Sequence, residues 1–255
     1  MRSIKLTIEY DGTGYSGWQE QANGISIQQT VEEAIKRLTG TKPRLKSSGR
    51  TDAGVHACAM PAVFATDSAL PLRAFVEGLN HFLPDDIAIL DAAEVPPGFR
   101  PIGDALAKHY RYTIINRPSR APLIRMQAWH VREPLDTEAM SAAARDFVGV
   151  HDFAAFRASN CTAKTSSRRI DSVSVSRTGD MVIIDVVGGG FLKNMVRVMA
   201  GTLVDIGRGR FGAGHVAWLL HNPDRKKAGV TAPASGLCLI QVHYPEGLTF
   251  PPEAA

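Results

Sequence analysis

The sequence of 255 residues has few cysteines and lacks any apolar run long enough to suggest a membrane span. Its three cysteines, Cys58, Cys161 and Cys238, are far apart and odd in number. They therefore predict neither a disulfide framework nor a C-x-x-C metal site. His56 and Cys58 form an isolated H-x-C pair, and a zinc ion needs three or four ligands. We accordingly expect no bound metal and no membrane association.

The composition is typical of a globular protein, with 44% hydrophobic and 21% charged residues. The N-terminal stretch "MRSIKLTIEY" alternates apolar with polar residues and carries charge, which is not typical of a signal peptide. We expect a cytoplasmic protein. Its length indicates one large domain or two modest ones.

The sequence contains the glycine spacing of a dinucleotide-binding turn, but the helix that such a turn requires does not begin in the right place. The stretch Gly12–Gly17 reads G-x-G-x-x-G after a strand-like run. A dinucleotide site needs a helix that begins within this turn, so that its N–H groups face the pyrophosphate. Here the capping-box spacing of Ser26 and Gln29 predicts that the helix begins only at Ser26. An isolated G-x-G-x-x-G is a weak signal, and we predict no nucleotide cofactor.

Three aromatic residues, Tyr10, Tyr15 and Trp18, lie among these glycines. Glycines make the segment resemble a flexible finger, and its rings are suited to stacking on a ligand or wedging into one. The same rings are equally suited to packing the loop against the protein. The residues alone leave both interpretations open.

Hydrophobic periodicity predicts the order β-α-β-β-α-β twice along the chain. We predict an α+β protein of two ferredoxin-like halves, over residues 1–104 and 105–255. The predicted strands of the first half are 4–10, 44–49, 61–66 and "IAILDAAEV", and its helices begin at Ser26 and near Pro71. The main predicted elements of the second half are "KHYRYTIINR", "LDTEAMSAAARDFVGV", a hairpin around Thr178–Asp180, "FLKNMVRVMAGTLVDIG" and "GLCLIQVHY".

The stretch "SSGRTDAGVHA" places Asp52 between Gly49 and Gly54, beside Arg50. Two glycines allow a sharp backbone turn close to a ligand. The neighbouring arginine can keep a carboxylate ionised and can also bind phosphate. These properties suit a nucleophilic or basic aspartate. Because T-D-x-G is also an ordinary turn signal, the pattern alone does not establish an active site.

The net charge of +4 and a pI of about 9.0 give a mild preference for polyanions. Basic residues recur in clusters beside loops and strand ends, which indicates a groove that follows phosphates. The clusters are Arg44, Lys46 and Arg50; Lys108 and Arg111; Arg117, Arg120 and Arg125; Lys164, Arg168 and Arg169; Arg208 and Arg210; and Arg225, Lys226 and Lys227.

The stretch "GRTDAGVHA" resembles the catalytic motif of the tRNA pseudouridine synthase A family. The resemblance extends over nearly the whole chain, and its blocks occur in the family's order. These blocks are "IEYDGTGYSGWQEQ", "KHYRYTI", "HDFAAFRAS", "GGGFLKNMVRVMAGTLVDIGRGR" and "TAPASGLCLIQVHYP". Agreement of separate blocks in order makes the resemblance very specific.

The resemblance implies a role for five residues. It implies that Asp52 is the catalytic nucleophile and that Arg197 pairs with it. It implies that Tyr110 stacks on the target uracil and assists proton removal. It further implies that Arg50 helps to flip the nucleotide and that Leu237 forms an apolar wall of the uracil pocket.

The resemblance also implies the architecture and the partners. The two halves would share a continuous mixed or antiparallel sheet flanked by helices, with the active-site cleft between them. The protein would be a homodimer that isomerises uridine to pseudouridine in the anticodon stem-loop of tRNA, at positions 38, 39 or 40. The reaction needs no cofactor and no metal. The alternative is a non-catalytic RNA-binding module, although no RNP1-like motif is present.

The residues themselves permit other interpretations of two of these positions. Tyr110 alternates with Tyr112 on a predicted strand, so both rings can simply be core material. Arg197 lies off the apolar face of its predicted helix, near Gly201. It is therefore either solvated or turned towards a ligand cleft, where the small Gly201 would permit close approach.

One segment departs from the family pattern. Met60-Pro61 stands where the family usually has a glutamine and then a β-branched residue. Proline cannot donate a hydrogen bond to a neighbouring strand. We therefore expect this strand to begin at Pro61 or to lie at an edge of the sheet, a difference that does not affect Asp52.

Overall fold

The computed structural model describes residues 1–22 and 24–246. These residues divide into two units: unit 1 comprises Met1–Leu106 and the chain from Leu239 onward, and unit 2 comprises Ala107–Cys238. Residue 23, in the predicted loop before the first helix, lies outside the described residues. So does the stretch 247–255, which closes the predicted C-terminal half.

Unit 1 has the β-α-β-β-α-β order that the sequence predicts. Strand β1 lies between β4 and β3, the short β2 pairs with the other side of β3, and all these pairings are antiparallel. This relative order is that of a ferredoxin-like half. The elements are β1 (Arg2–Tyr10), α1 (Ile27–Thr39), β2 (Lys46–Ser47), β3 (His56–Thr66), α2 (Leu72–Phe82) and β4 (Ile87–Val95).

The first three long strands of unit 2 have the same order in the sheet as the first three strands of unit 1: the third lies between the first and the second. Strand β9 lies between β5 and β8 in antiparallel pairings, β7 extends the sheet beyond β8, and β6 pairs with β5 in parallel. The elements are β5 (Ala107–Asn116), β6 (Trp129–Val131), α3 (Thr137–Ala144), β7 (Gly149–Asp152), β8 (Ser167–Thr178), β9 (Met181–Gly188), α4 (Met195–Gly207), α5 (His215–His221) and β10 (Leu237–His243), which ends in unit 1. The α+β class is therefore confirmed.

Helix α1 begins where the sequence predicts. The side chain of Ser26 accepts a hydrogen bond from the backbone N–H of Gln29 at 3.2 Å, which is the bond expected of an N-cap. Gly40 ends the helix in the left-handed conformation, with φ of 79°. No helix in the described part of the chain is both long and apolar enough to cross a bilayer.

The expectation for Pro61 is wrong. Strand β3 begins at His56, and Pro61 lies inside it, between β1 on one side and β2 on the other. The N and the C=O of one antiparallel residue point to the same neighbour. Those of Pro61 point towards β2, where its carbonyl accepts from the N–H of Ser48 at 3.1 Å. Because β2 is only two residues long, the missing N–H interrupts little pairing.

Two predicted helices are shorter than their periodicity indicates. Helix α3 ends at Ala144 and tightens into a 3-10 turn over Arg145–Phe147, and Gly149 then takes the left-handed conformation and starts β7. Helix α4 begins at Met195, because Asn194 has a φ of 62° and cannot continue a right-handed helix backwards.

We expect Ser26→Ala to lower the free energy of unfolding by about 1 kcal/mol, because it removes the acceptor that caps α1. Urea denaturation monitored by circular dichroism measures this change. The exposed Ser119 is a suitable control, and Ser119→Ala should change stability by less than about 0.5 kcal/mol. Equal stability of the two variants would contradict the capping role.

Candidate active site

Asp52 occupies a tight turn immediately before β3. The N–H of Val55 donates to the carbonyl of Asp52 at 3.1 Å, and Gly54 lies in the left-handed region with φ of 77°. A β-turn of this kind requires a residue that tolerates positive φ, which explains the glycine. The side chain of Asp52 is half-buried at the tip of the turn.

The glycine loop, Gly12–Gly17, lies in direct contact with this turn. A side chain on Gly12 would overlap the carbonyl of Val55, and one on Gly17 would lie 2.6 Å from the carbonyl oxygen of Thr51. The N–H of Trp18 donates to that same Thr51 carbonyl at 3.1 Å. The glycines are therefore needed because two backbone segments touch.

Helix α1 anchors the other end of this loop. The N–H of Ile27 donates to the carbonyl of Gly17 at 3.2 Å, and the N–H of Gln28 donates to that of Trp18 at 2.9 Å. These are N–H groups of a first helical turn, which have no partner inside the helix. The start of α1, the loop and the Asp52 turn are thus connected by main-chain hydrogen bonds.

The rings of the loop pack it against the protein, so the interpretation as a flexible finger is wrong. Tyr10 and Trp18 are each only 2% exposed, with ring centroids 6.1 Å apart. The Tyr10 hydroxyl and the Thr51 hydroxyl share a hydrogen bond of 2.8 Å. Tyr15 is half-buried, and its hydroxyl donates to Asp86 at 2.6 Å.

The residues beside Asp52 differ in their surroundings. Arg50 is exposed and forms no ion pair with the described residues, and it lines a cavity of about 750 Å³. His56 is buried, and its Nδ1 lies 3.1 Å from the backbone nitrogen of Gly12. Cys58 is exposed. His56 therefore contacts the glycine loop, whereas Cys58 lies at the surface, so the two residues of the H-x-C pair lie in different surroundings.

Tyr110 lies on β5 opposite Val186 of β9, in unit 2. It is 9% exposed, and the edge of its ring contacts the ring of Phe191, with centroids 5.0 Å apart at 79°. Tyr112 follows on the same strand and is fully buried. The period-two pattern of β5 is confirmed, and both tyrosines lie on its buried face, Tyr110 slightly exposed and Tyr112 fully buried.

The hydroxyl of Tyr112 donates to the carbonyl of Pro233 at 2.7 Å. Gly236 packs on its ring so closely that a side chain there would overlap it. Burial raises the pKa of Tyr112 strongly, and the charge of Arg197 opposes this shift. Tyr112 is therefore a neutral donor that positions the segment leading to Leu237.

Arg197 is half-buried and two hydrogen bonds hold its side chain, so a freely solvated side chain is excluded. Its Nε donates to the carbonyl of Ala232 at 2.7 Å, and its Nη1 donates to Oδ1 of Asn194 at 3.2 Å. Its own carbonyl accepts from the N–H of Ala232 at 3.2 Å. A guanidinium fixed in this way has a defined direction.

Gly201 does not face a ligand. A side chain on Gly201 would overlap the carbonyl of Val230, and Gly229 lies against the backbone at Thr202. The Thr202 hydroxyl accepts from the N–H of Gly229 at 3.0 Å. The small residue on α4 therefore admits the 229–233 segment, which supplies the carbonyl that binds Arg197.

The five predicted residues fall into two groups. Asp52 and Arg50 belong to unit 1, and the other three belong to unit 2. Within unit 2, the 232–237 segment links the other three. Its Ala232 binds Arg197 and its Pro233 binds Tyr112. It ends at the buried Leu237, the first residue of β10.

Comparison with known proteins shows the family of this chain. The family profile described as tRNA pseudouridine synthase matches residues 6–101 and 143–245. The chain belongs to the tRNA pseudouridine synthase family. A tRNA pseudouridine synthase A of Pelobacter propionicus is 69% identical over 244 residues, which cover 96% of this chain and 100% of that protein. Those of Geotalea daltonii and Geobacter sulfurreducens are 59% and 54% identical over the same shares.

The two stretches that match the family profile contain four of the five predicted site residues. Asp52 and Arg50 lie in the first stretch, and Arg197 and Leu237 lie in the second. Tyr110 lies between them. Sequence reasoning missed the groups that bind Arg197 and Tyr112, namely Asn194 and the carbonyls of Ala232 and Pro233. Backbone carbonyls leave no signal in a sequence, whereas an asparagine directly before a helix, a residue type that tolerates positive φ, is a detectable signal.

We expect Gly201→Ala to destabilise the protein by about 1–3 kcal/mol, because its methyl group would displace the Val230 carbonyl. This cost exceeds the gain of about 1 kcal/mol that alanine offers over glycine in a helix. Urea denaturation measures the difference. Gly212 is the matched control, because a side chain there meets open space and φ is not positive. A Gly201→Ala variant that is as stable as Gly212→Ala would contradict the close contact.

Proposed function

We propose that this protein converts uridine to pseudouridine in tRNA, with Asp52 as the nucleophile. One observation carries the proposal: the Asp52 turn lies within a chain that matches a tRNA pseudouridine synthase A at 69% identity over 96% of its length. The enzyme is then an isomerase. The glycine loop, the buried Tyr10–Thr51 pair and Gly54 support a carboxylate held at the tip of a rigid turn.

The chemistry is compatible with this single carboxylate. The bond from C1′ of the ribose to N1 of uracil breaks, the base turns, and a bond from C1′ to C5 forms. One proton leaves C5 and one proton ends on N1, so the product is an isomer and no electrons are exchanged. Attack by Asp52 on the nucleoside forms a bond that breaks again before product is released.

The remaining roles follow the resemblance. Tyr110 stacks on the extruded uracil, and its small exposed fraction supports a ring that offers one side to a base. Arg197 pairs with the nucleophile, and the two hydrogen bonds that fix its guanidinium support such a role. Arg50 assists extrusion from its exposed position, and Leu237 provides an apolar wall.

The substrate region, assembly and compartment belong to the same proposal. The target uridines are those of the anticodon stem-loop, and the active form is a homodimer in the cytoplasm. Scattered basic clusters support a surface that follows the RNA backbone. Sedimentation with tRNA tests the assembly: a monomer that binds tRNA with full affinity would contradict the dimer.

We expect the protein to form pseudouridine in an unmodified tRNA transcript, without added cofactor and in the presence of a chelator. Primer-extension mapping after carbodiimide treatment locates the product, which should lie in the anticodon arm. Product elsewhere in the tRNA would contradict the proposed region. Binding without product would favour the non-catalytic RNA-binding module.

We expect Asp52→Ala to lower the rate of pseudouridine formation by about 1,000-fold or more, because it removes the nucleophile. Tritium release from C5-labelled uridine measures the rate, and anisotropy of labelled tRNA measures binding. Asp67→Ala is the matched control, since Asp67 is exposed and pairs with the N-terminal amine. An Asp52→Ala variant as active as this control would refute the assignment.

A further inference from the structure

The buried side chain of His56 lies beside the glycine loop, and the proposed chemistry does not use it. The residue is 6% exposed. Two groups lie 3.1 Å from its Nδ1, the backbone nitrogen of Gly12 and Oδ1 of Asp11. Only one of these contacts is a hydrogen bond at a time. Without a proton Nδ1 accepts from the Gly12 N–H, and with a proton it donates to the carboxylate.

The hydrogen bonds of the two rival groups decide between these states. Oδ1 of Asp11 already accepts from the N–H of Thr13 at 2.9 Å and from the Thr13 hydroxyl. The N–H of Gly12 has no acceptor other than Nδ1 within residues 1–22 and 24–246. A buried backbone N–H without a partner is costly. The Gly12 bond therefore forms, and the ring is neutral with its proton on Nε2.

That proton points to a role beyond packing. Nε2 of His56 is buried and makes no hydrogen bond with any residue that the structure describes. A buried donor without a partner lowers stability and is rare in folded proteins. Leucine would avoid this cost, but it would leave the Gly12 N–H without its acceptor. Local rules of this kind are broken chiefly at functional sites.

Direct backbone contact connects the Gly12 bond to Asp52. A β-carbon on Gly12 would overlap the carbonyl of Val55, so the two backbones touch. Val55 in turn donates its N–H to the carbonyl of Asp52 at 3.1 Å. A shift of Gly12 therefore moves the end of the turn that carries the Asp52 side chain.

We propose that His56 is a positioning residue for Asp52, through the acceptor that its Nδ1 offers to Gly12. The inference rests on the proposed function, because it takes Asp52 to be the nucleophile. Since the His56 ring is buried, it acts on the rate of the reaction and leaves the binding of tRNA unchanged.

Three substitutions in the full chain separate the acceptor from the rest of the ring. The side-chain carbonyl of His56→Asn takes the place of Nδ1, the polar group of His56→Gln lies near the place of Nε2, and His56→Leu has none. We expect His56→Asn to keep kcat within about 3-fold of the unaltered protein. The other two should lower kcat by about 10- to 100-fold, because the nucleophile is displaced. KM for an unmodified tRNA transcript should not change.

The matched control is Asn80→Leu in the same unit. It removes two hydrogen bonds to the backbone of Ile89, and Asn80 makes none to the glycine loop. We expect this variant to unfold at a lower temperature with kcat unchanged. Thermal unfolding of all four variants separates a loss of rate from a loss of folded protein.

A second measurement judges the hydrogen bond without reference to activity. Nitrogen chemical shifts of isotope-labelled histidine identify which ring nitrogen of His56 carries the proton, and hydrogen exchange follows the Gly12 amide. A proton on Nε2, with faster exchange of the Gly12 amide in His56→Leu, supports the bond. A proton on Nδ1, or an unchanged exchange rate, overturns it.

The kinetic outcomes judge the positioning role. Low kcat in His56→Gln and His56→Leu, together with a restored kcat in His56→Asn, supports it. Equal kcat in the three variants, or a loss that appears only in KM, overturns it. If the unaltered protein forms no pseudouridine, the proposed function fails and the role towards Asp52 fails with it, whereas the nitrogen shifts still judge the Gly12 bond.

Discussion

The close approach of two backbone segments, the glycine loop over Gly12–Gly17 and the turn over Thr51–Val55, is the constraint on which the proposed active site depends. A β-carbon at either end of the loop would push these segments apart. Main-chain hydrogen bonds also connect the loop to the first turn of α1. The Thr51–Val55 turn is therefore linked through the loop to a helix, which restricts its movement. A nucleophile on a turn supported in this way needs little reorganisation when its substrate arrives.

Unit 2 also contains a close approach of two backbone segments that glycines make possible. The segment from Gly229 to Leu237 docks on α4 and on the ring of Tyr112 because glycines replace side chains at the points of contact. The result is a set of aimed backbone carbonyls. One of them orients Arg197, and another satisfies the buried hydroxyl of Tyr112. Burial of that hydroxyl without a partner would cost about 1–3 kcal/mol.

The basic residues near Asp52 show why charge counts need structure. A net charge of +4 is small, yet four cations meet in one groove of unit 1. They meet there because the buried pair Gln28–Glu32 holds the Leu45 backbone and β2 pairs with β3. Two buried polar side chains of α1 thus fix the backbone that carries the exposed Arg44 and Lys46.

The sequence by itself determined the element order, the class of fold and the start of α1, because hydrophobic period, caps and turn residues act over a few neighbouring residues. The Ser26 cap and the alternation of Tyr110 with Tyr112 are examples. Its blocks also identified the family, and with it Asp52 as the proposed nucleophile. The place of Pro61, the packing of Tyr10 and Trp18, and the contact of Gly201 were decided only by tertiary structure. Each depends on a segment distant in the chain: β2 for Pro61, the Thr51 turn for the two rings, and the Val230 carbonyl for Gly201. Local patterns carry no information about which distant backbone will lie against them.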